Sequence, residues 1–409
     1  MPQFTILNDR RFWLFFAFMM CQFGYPLGAF NEWWTQTGVF GNNNHPGGGD
    51  FINFWVASRA ALEGHASALF DPQNYSALLT EQFGTDYGYR WLYPPHFLLL
   101  ILPLGLFPYG LAFALFMGAT LLLYLVIARR LWGGWEIVGW LLIAPVTALG
   151  LLNGQTCFLV GALFIGGVYL WDDRPVLAGI FLGFLTVKPQ FGVLIPFVLL
   201  IERRWWVIGT AMATAGCLIG ASVIAFGVEP WREFFVSPLS ASNDVLLADR
   251  TDLMGIHLAP FGAARFLGFS PATASIVQLG FSLFAVGALS ATHRLQARPD
   301  TKVAMLIAAT YLFIPYVLFY DLAAPTFSAL SLYFGRQQQN APGLAFSILL
   351  VGVGTLSFIN GATTLIGIPL GPAVFAILCA ALIGRAYQEG CEAAQPLPRA
   401  PVPRGRAIA

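Results

Sequence analysis

Apolar stretches about as long as a bilayer is thick recur from one end of this chain to the other. Leu111 to Ala128, Trp205 to Phe226 and Ile366 to Ile383 are examples, and about 20 such residues carry a helix across the hydrocarbon core. Only 10% of the residues are charged and 57% are hydrophobic, whereas a soluble domain carries roughly 25% charged residues. Inside lipid the backbone must satisfy its own hydrogen bonds, so the chain is expected to fold as a many-span helical bundle. The first apolar run, Phe12 to Phe30, is long and lacks a small-residue cleavage pattern, and reads as a retained span.

The distribution of Lys and Arg sets an orientation, because basic residues mark the cytoplasmic side. Starting inside at Arg10 and Arg11, the chain returns to basic residues at Arg129 and Arg130, Arg174, Arg203 and Arg204, Arg294 and Arg298, Arg336 and Arg385. About twelve crossings result. Two are interrupted: residues 96 to 128 by Pro103 and Pro108, and residues 175 to 201 by Lys188-Pro189. The expected architecture is all-α, a polytopic membrane bundle with broken or re-entrant helices and interfacial helices on its outer face. One domain covers 1–390, with outer loops 31–95 and 228–271, and a Pro/Arg-rich tail, 391–409, is expected to be disordered and cytoplasmic. Both termini fall inside.

The first outer loop begins with a glycine-rich run, Gly47-Gly48-Gly49-Asp50. After it, Phe51, Phe54, Trp55, Ser58 and Leu62 recur at helical spacing with Arg59 and Glu63 interleaved, which predicts a helix lying along the interface. Asp50 stands where its carboxylate would cap that helix. Asp71-Pro72 reads as the cap and first residue of a second helix.

Polar residues near membrane depth cost roughly 2.5–3.5 kcal/mol for a charge at mid-span and call for a reason. Lys188, followed by Pro189 and Gln190, lies between two apolar halves each too short to cross. A lysine in a discontinuous helix suits an anionic group such as a phosphate, and equally it can snorkel to the interface. Asn153-Gly154-Gln155 offers amides to a sugar hydroxyl or makes an ordinary polar turn. Tyr93-Pro94-Pro95-His96 is a site or a rigid entry to the next helix, and Tyr320-Asp321 supplies a second functional carboxylate or a cap. Asp244, Asp249 and Asp252 lack rigid ligand spacing and read as a solvated loop face, so no metal is assigned. Four cysteines, Cys21, Cys157, Cys217 and Cys379, sit in apolar runs and Cys391 in the tail, which gives neither a disulfide framework nor a metal motif. A net charge of +1 provides no signal for nucleic acid, and no phosphate-binding or dinucleotide glycine motif is present.

Taken in order, these residues resemble the glycosyltransferase family 87 membrane proteins, which have the multi-span GT-C architecture. The resemblance runs through Gly49-Asp50-Phe51-Ile52-Asn53-Phe54-Trp55, Gly64, Phe70-Asp71, Tyr93-Pro94-Pro95-His96, Gly154-Gln155, Ala178-Gly179, Lys188-Pro189-Gln190 and Arg203-Arg204-Trp205. Weaker matches follow at Met254 to Gly268, Pro315-Tyr316 and Tyr320-Asp321, so that it spans about 49 to 335. Phe54 and Phe70 stand where the family more often has tyrosine.

The resemblance implies an enzyme of a bacterial plasma membrane that moves a hexose or pentose, such as mannose, from a polyprenyl-phosphate donor to a lipid or glycan acceptor at the outer face. Asp50 takes the place of the acidic residue that this architecture keeps at its reaction centre, here as general base of an inverting transfer. Lys188 would meet the leaving phosphate, and Tyr93, His96, Asn153, Gln155, Gln190, Tyr320 and Asp321 would hold the donor. No cofactor is implied. The rival readings are a transporter or flippase for a small or lipid-linked solute, and a membrane acyltransferase with a histidine base.

Overall fold

The computed structural model describes residues 9–36, 48–84, 88–236, 257–335 and 342–394. Asp244, Asp249, Asp252, Gly47 and the tail beyond 394 lie outside them. Among the described residues the fold is entirely helical, without a named strand.

Among the described residues, five helices are long and apolar enough to cross a membrane, or six if one bent pair counts as a single span. In chain order the helices up to the first large break are α1 (Arg10–Gln36), α2 (Phe51–Leu62), α3 (Pro72–Phe83), α4 (Phe97–Ile101), α5 (Tyr109–Trp132), α6 (Glu136–Ile143), α7 (Pro145–Asn153), α8 (Cys157–Tyr169), α9 (Pro175–Phe184), α10 (Ile195–Ile201) and α11 (Trp205–Phe226). After it come α12 (Pro260–Phe266), α13 (Pro271–Arg294), α14 (Pro299–Phe313), α15 (Ala323–Phe334), α16 (Leu344–Thr364) and α17 (Gly371–Ala394). The long apolar helices are α5, α11, α13, α16 and α17, and the bent pair is α6 and α7, which meet at 58°. Prolines open many of these helices, among them Pro72, Pro145, Pro175, Pro271 and Pro299, where the missing amide hydrogen is not needed.

Helix length alone does not reach the expected twelve crossings. α8 and α15 have only 13 and 12 residues, or about 20 Å at 1.5 Å per residue, short of a hydrocarbon core of roughly 30 Å. Both are wrapped by protein. Eleven residues of α8 are buried, and α14 and α15 are buried nearly throughout, as befits helices that are apolar on every side. The long helices α5, α16 and α17 pack one side into this core, whereas α11 stands at its edge. α11 buries only Val207 and Ser222 and exposes Trp206, Met212 and Ile224.

α11 docks on α9 through small residues. Gly179 and Gly183, four apart, face Thr210 and Thr214, and a Cβ on either glycine would fall 1.7 Å from Thr210 Oγ1 or 2.5 Å from Thr214 Cβ. Close backbone approach of this kind supplies packing where lipid gives no hydrophobic drive to associate.

The interruption of 175–201 is as expected. α9 ends in a short 3₁₀ turn over Leu185–Val187, a second covers Pro189–Gly192, and Lys188 joins them. The backbone stays paired, since Lys188 N–H donates to Leu185 (3.0 Å) and Phe191 N–H to Lys188 (3.2 Å). The piece preceding α5 is likewise broken, with α4 running into a 3₁₀ turn at Leu102–Leu106.

Two expectations about the first loop are corrected. Ten of the twelve residues of α2 are buried, so α2 is covered by protein on both faces and not only along one apolar stripe. Segment 97–106 lies across it: Gly105 approaches Ser58 and Arg59 so closely that a Cβ would sit 3.0 Å from their backbone, and Trp55 Nε1 donates to the Phe107 carbonyl (3.0 Å). Asp50 does not cap α2 with its side chain. Its own backbone is already helical, and Phe51 and Ile52 donate instead to the carbonyls of Gly48 (3.0 Å) and Gly49 (3.4 Å). The carboxylate is thereby released for other partners. Asp71 does cap α3, accepting from the amides of Gln73 and Asn74.

Basic residues gather at one end of the bundle. Arg204 pairs with Asp172 (2.7 Å) and Glu202 (2.6 Å), Lys302 lies 3.4 Å from Glu202, and Arg385 pairs with Asp300 (3.2 Å). Burial works to raise the Glu202 carboxyl, but His293 and Arg204 beside it, with the charge of Lys302, pull it down to about 2. From this end α11 leads to the opposite end, where the loop segments 48–50 and 314–322 meet the break in 185–192.

Candidate active site

At that opposite end is a cavity of about 410 Å³. Five chain segments distant in sequence deliver its polar side chains: the loop before α2 running into its first turn, the turn between α7 and α8, the loop between α14 and α15, the loop between α3 and α4, and the break after α9.

The first two are stapled together by backbone. Asp50 N–H donates to the Asn153 carbonyl (3.0 Å). Gly154 ends α7 in the left-handed conformation (φ 59°), where a Cβ would lie 2.2 Å from the Gly48 carbonyl oxygen and 2.6 Å from Phe51 Cβ. Only glycine permits both that φ and that contact. Asn153 spends its side chain on its own helix, Nδ2 donating to the Leu149 carbonyl (2.8 Å), and does not line the cavity.

Gln155, the next residue but one, reaches the carboxylate. Its Nε2 donates to Asp50 Oδ2 at 2.5 Å, while its Oε1 accepts from Tyr93 Oη (3.2 Å) and from the Thr156 amide (3.1 Å). These contacts fix the orientation of the amide, since the Thr156 N–H must meet oxygen. From the third segment Tyr320 Oη donates to the same Asp50 Oδ2 at 2.9 Å. Among the described residues, Oδ1 of Asp50 has no hydrogen-bond partner. One oxygen is anchored twice and the other is left to the cavity.

Burial pushes the Asp50 carboxyl above the ordinary carboxylate range; the hydrogen bonds from Gln155 and Tyr320 and the charge of Lys188 pull against this, and Asp321 adds to it. The net direction is upward, toward a stronger base.

Lys188 is neither a lone cation nor a snorkelling one. It is buried, at 7% exposure, and its Nζ lies 2.6 Å from Oδ1 of Asp321, itself 3% exposed. The other Asp321 oxygen accepts from the Leu318 amide (3.2 Å), and Tyr311 Oη donates to the Asp321 carbonyl. The bridge ties the broken helix to the loop that carries Tyr316, Leu318 and Tyr320 into the cavity wall. Leu258 N–H, donating to Val317 (2.8 Å), holds that loop from its other side.

The structure therefore gathers Asp50, Tyr93, Gln155, Lys188, Gln190 and Tyr320 on one cavity, with Asp321 directly behind Lys188. His96 lies off it. Its ring stacks on Trp231 at 5.6 Å and 8°, and its Nε2 is 3.2 Å from Thr186 Oγ1. Four polar lining residues are not among the candidates read from the sequence: Asn53, Tyr89, Arg90 and Tyr316. Arg90 alone carried a legible signal, as a charge inside the aromatic run Tyr89-Arg90-Trp91-Leu92-Tyr93. Among the described residues no group of three or more His, Cys, Asp or Glu is arranged to hold a metal ion.

A family model described as glycosyltransferase family 87 matches residues 91–320, more than half of the chain. The chain belongs to glycosyltransferase family 87. No curated protein and no solved structure matches it. Membership makes this a membrane glycosyltransferase and selects transfer over the transport and acyl-transfer readings. The matched stretch is narrower than the resemblance read from the sequence. It opens directly after Arg90 and closes on Tyr320, so the loop bearing Asp50 lies before the matched residues.

Proposed function

We propose that this family 87 glycosyltransferase takes a hexose or pentose from a polyprenyl-phosphate donor and passes it, with inversion, to a hydroxyl of a lipid or glycan acceptor, with Asp50 as general base. The observation that carries this reading is the asymmetry of one carboxylate: Oδ2 is held by Gln155 and Tyr320, and Oδ1 opens on a cavity large enough for a sugar. In the reaction the acceptor oxygen forms a bond to the anomeric carbon as the bond from that carbon to the phosphate oxygen breaks. The acceptor proton ends on Asp50 and the electron pair leaves with the phosphate. Tyr93 and Gln190, both on the wall, have the donors and acceptors that sugar hydroxyls require. Lys188 and Asp321 act as positioning residues, holding Tyr320 against Asp50. Side chains, without a metal or organic cofactor, meet the charge of the leaving group.

Orientation follows from the charged end of the bundle. If Arg203, Arg204, Lys302 and Arg385 face the cytoplasm, both termini are cytoplasmic and the cavity opens on the outer side of a bacterial plasma membrane, where a lipid-linked donor replaces nucleotide sugars. The GT-C arrangement, including short helices buried between longer spans, accommodates the crossings that helix length alone does not supply.

The test is a panel of radiolabelled polyprenyl-phosphate sugars, each incubated with purified protein and a membrane lipid extract. Label from at least one donor should move to an acceptor. Label that stays on every polyprenyl donor, with transfer from a nucleotide sugar instead, would overturn the reading.

A further inference from the structure

We infer that Arg90 is the cation that receives the phosphate of the lipid-linked donor. This rests on the polyprenyl-phosphate reading above and assigns its anionic subsite to a residue outside the matched family stretch. Two cationic side chains line the cavity among the described residues, Lys188 and Arg90. The first is committed. Lys188 Nζ is bound to the Asp321 carboxylate, and moving it onto a phosphate would strand a buried carboxylate without its counter-charge. A neutral pair cannot compensate the negative charge of a departing phosphate.

Arg90 is placed differently. It is half-buried, and the hydrogen bond it makes uses one terminal nitrogen, Nη1 donating to the Tyr89 carbonyl at 2.8 Å. A guanidinium has five N–H donors in a planar fork, so most of its donors stay available to a cavity it lines. That fork matches two oxygens of a phosphate, and the charge cannot be lost by deprotonation. With Lys188 and Asp321 cancelling, the cavity presents, among the described residues, one carboxylate and one cation outside any ion pair, Asp50 and Arg90. An inverting transfer from a phosphate needs that pair of charges, a base for the incoming hydroxyl and a cation for the outgoing oxygen. Negative charge grows on the phosphate as its bond to the sugar breaks, so a cation there binds the transition state more tightly than the donor.

The experiment titrates farnesyl phosphate and farnesol into purified full-length protein and follows binding by calorimetry, for wild type, Arg90→Gln, Arg90→Lys and the double variant Lys188→Met/Asp321→Leu. Wild type should prefer the phosphate to the alcohol. Arg90→Gln should weaken farnesyl phosphate by about tenfold or more and leave farnesol affinity unchanged, which also reports that the fold is intact. Arg90→Lys, which keeps the charge but not the fork, should fall between them, and the double variant should keep the phosphate preference. Wild-type phosphate affinity in Arg90→Gln would overturn the inference while leaving the donor class standing. So would loss of the preference in the double variant alone, which would return the phosphate to Lys188. A wild type that binds the alcohol as well as the phosphate would sink both the inference and the polyprenyl-phosphate reading.

Discussion

At the scale of single residues the proposed chemistry turns on how one carboxylate is shared. Gln155 and Tyr320 both donate to Oδ2 of Asp50, stabilising its charged form and offsetting part of the upward push of burial. Removing either donor raises the carboxyl further. A base works only when deprotonated, so its rate falls as pH drops through its folded-state pKa, and a higher pKa moves that fall to higher pH. Tyr320→Phe is expected to shift the acid limb of the pH–rate profile upward, with the rate on the alkaline plateau little changed. An unmoved limb would mean that Tyr320 does not tune this group. Residue identity alone could not expose the pairing of Lys188 with Asp321, because the two are 133 positions apart and each looked like a solitary buried charge. The same holds for Asn153, whose amide is as suited to a sugar as to the Leu149 carbonyl it meets.

Elements position these residues, and here the sequence was more legible. Pro189 beside Lys188 marked the break in 175–201, Pro103 and Pro108 the broken piece before α5, and Asp71-Pro72 a capped start, because each is a local rule about a missing amide or an orphan one. What local rules could not reach was the depth of α2. Its pattern of Phe51, Phe54 and Trp55 gives one apolar face, but its other side is buried by segment 97–106, which depends on the close approach at Gly105. A similar approach joins α9 to α11 at Gly179 and Gly183. Gly183→Val forces its side chain against Thr214 and is expected to destabilise the protein by about 2 kcal/mol, read as a lower melting temperature in detergent. Because α9 leads directly into the break at Lys188, activity should fall with it. A variant as stable as wild type would show that the contact is not tight.

For the molecule as a whole, the helices separate a charged end from the end that holds the candidate site, and the family match makes the bundle a membrane enzyme. The alternation of basic residues along the chain supports a cytoplasmic charged end. Cys391 lies at that end, exposed, near the close of α17. A membrane-impermeant maleimide should leave it unlabelled in intact spheroplasts and label it once they are permeabilised; labelling of intact spheroplasts would invert the orientation. At the other end two segments converge on Asp50: the turn that supplies the staple at Asn153 and the amide of Gln155, and the loop, locked by Lys188 and Asp321, that brings Tyr320. Asp50→Asn keeps the size and hydrogen bonding of this residue but cannot take a proton. Transfer by the purified variant, measured with the labelled donor that serves wild type, is predicted to fall by about 100-fold or more with donor binding and melting temperature preserved. Turnover near the wild-type rate in a folded Asp50→Asn protein would contradict the account.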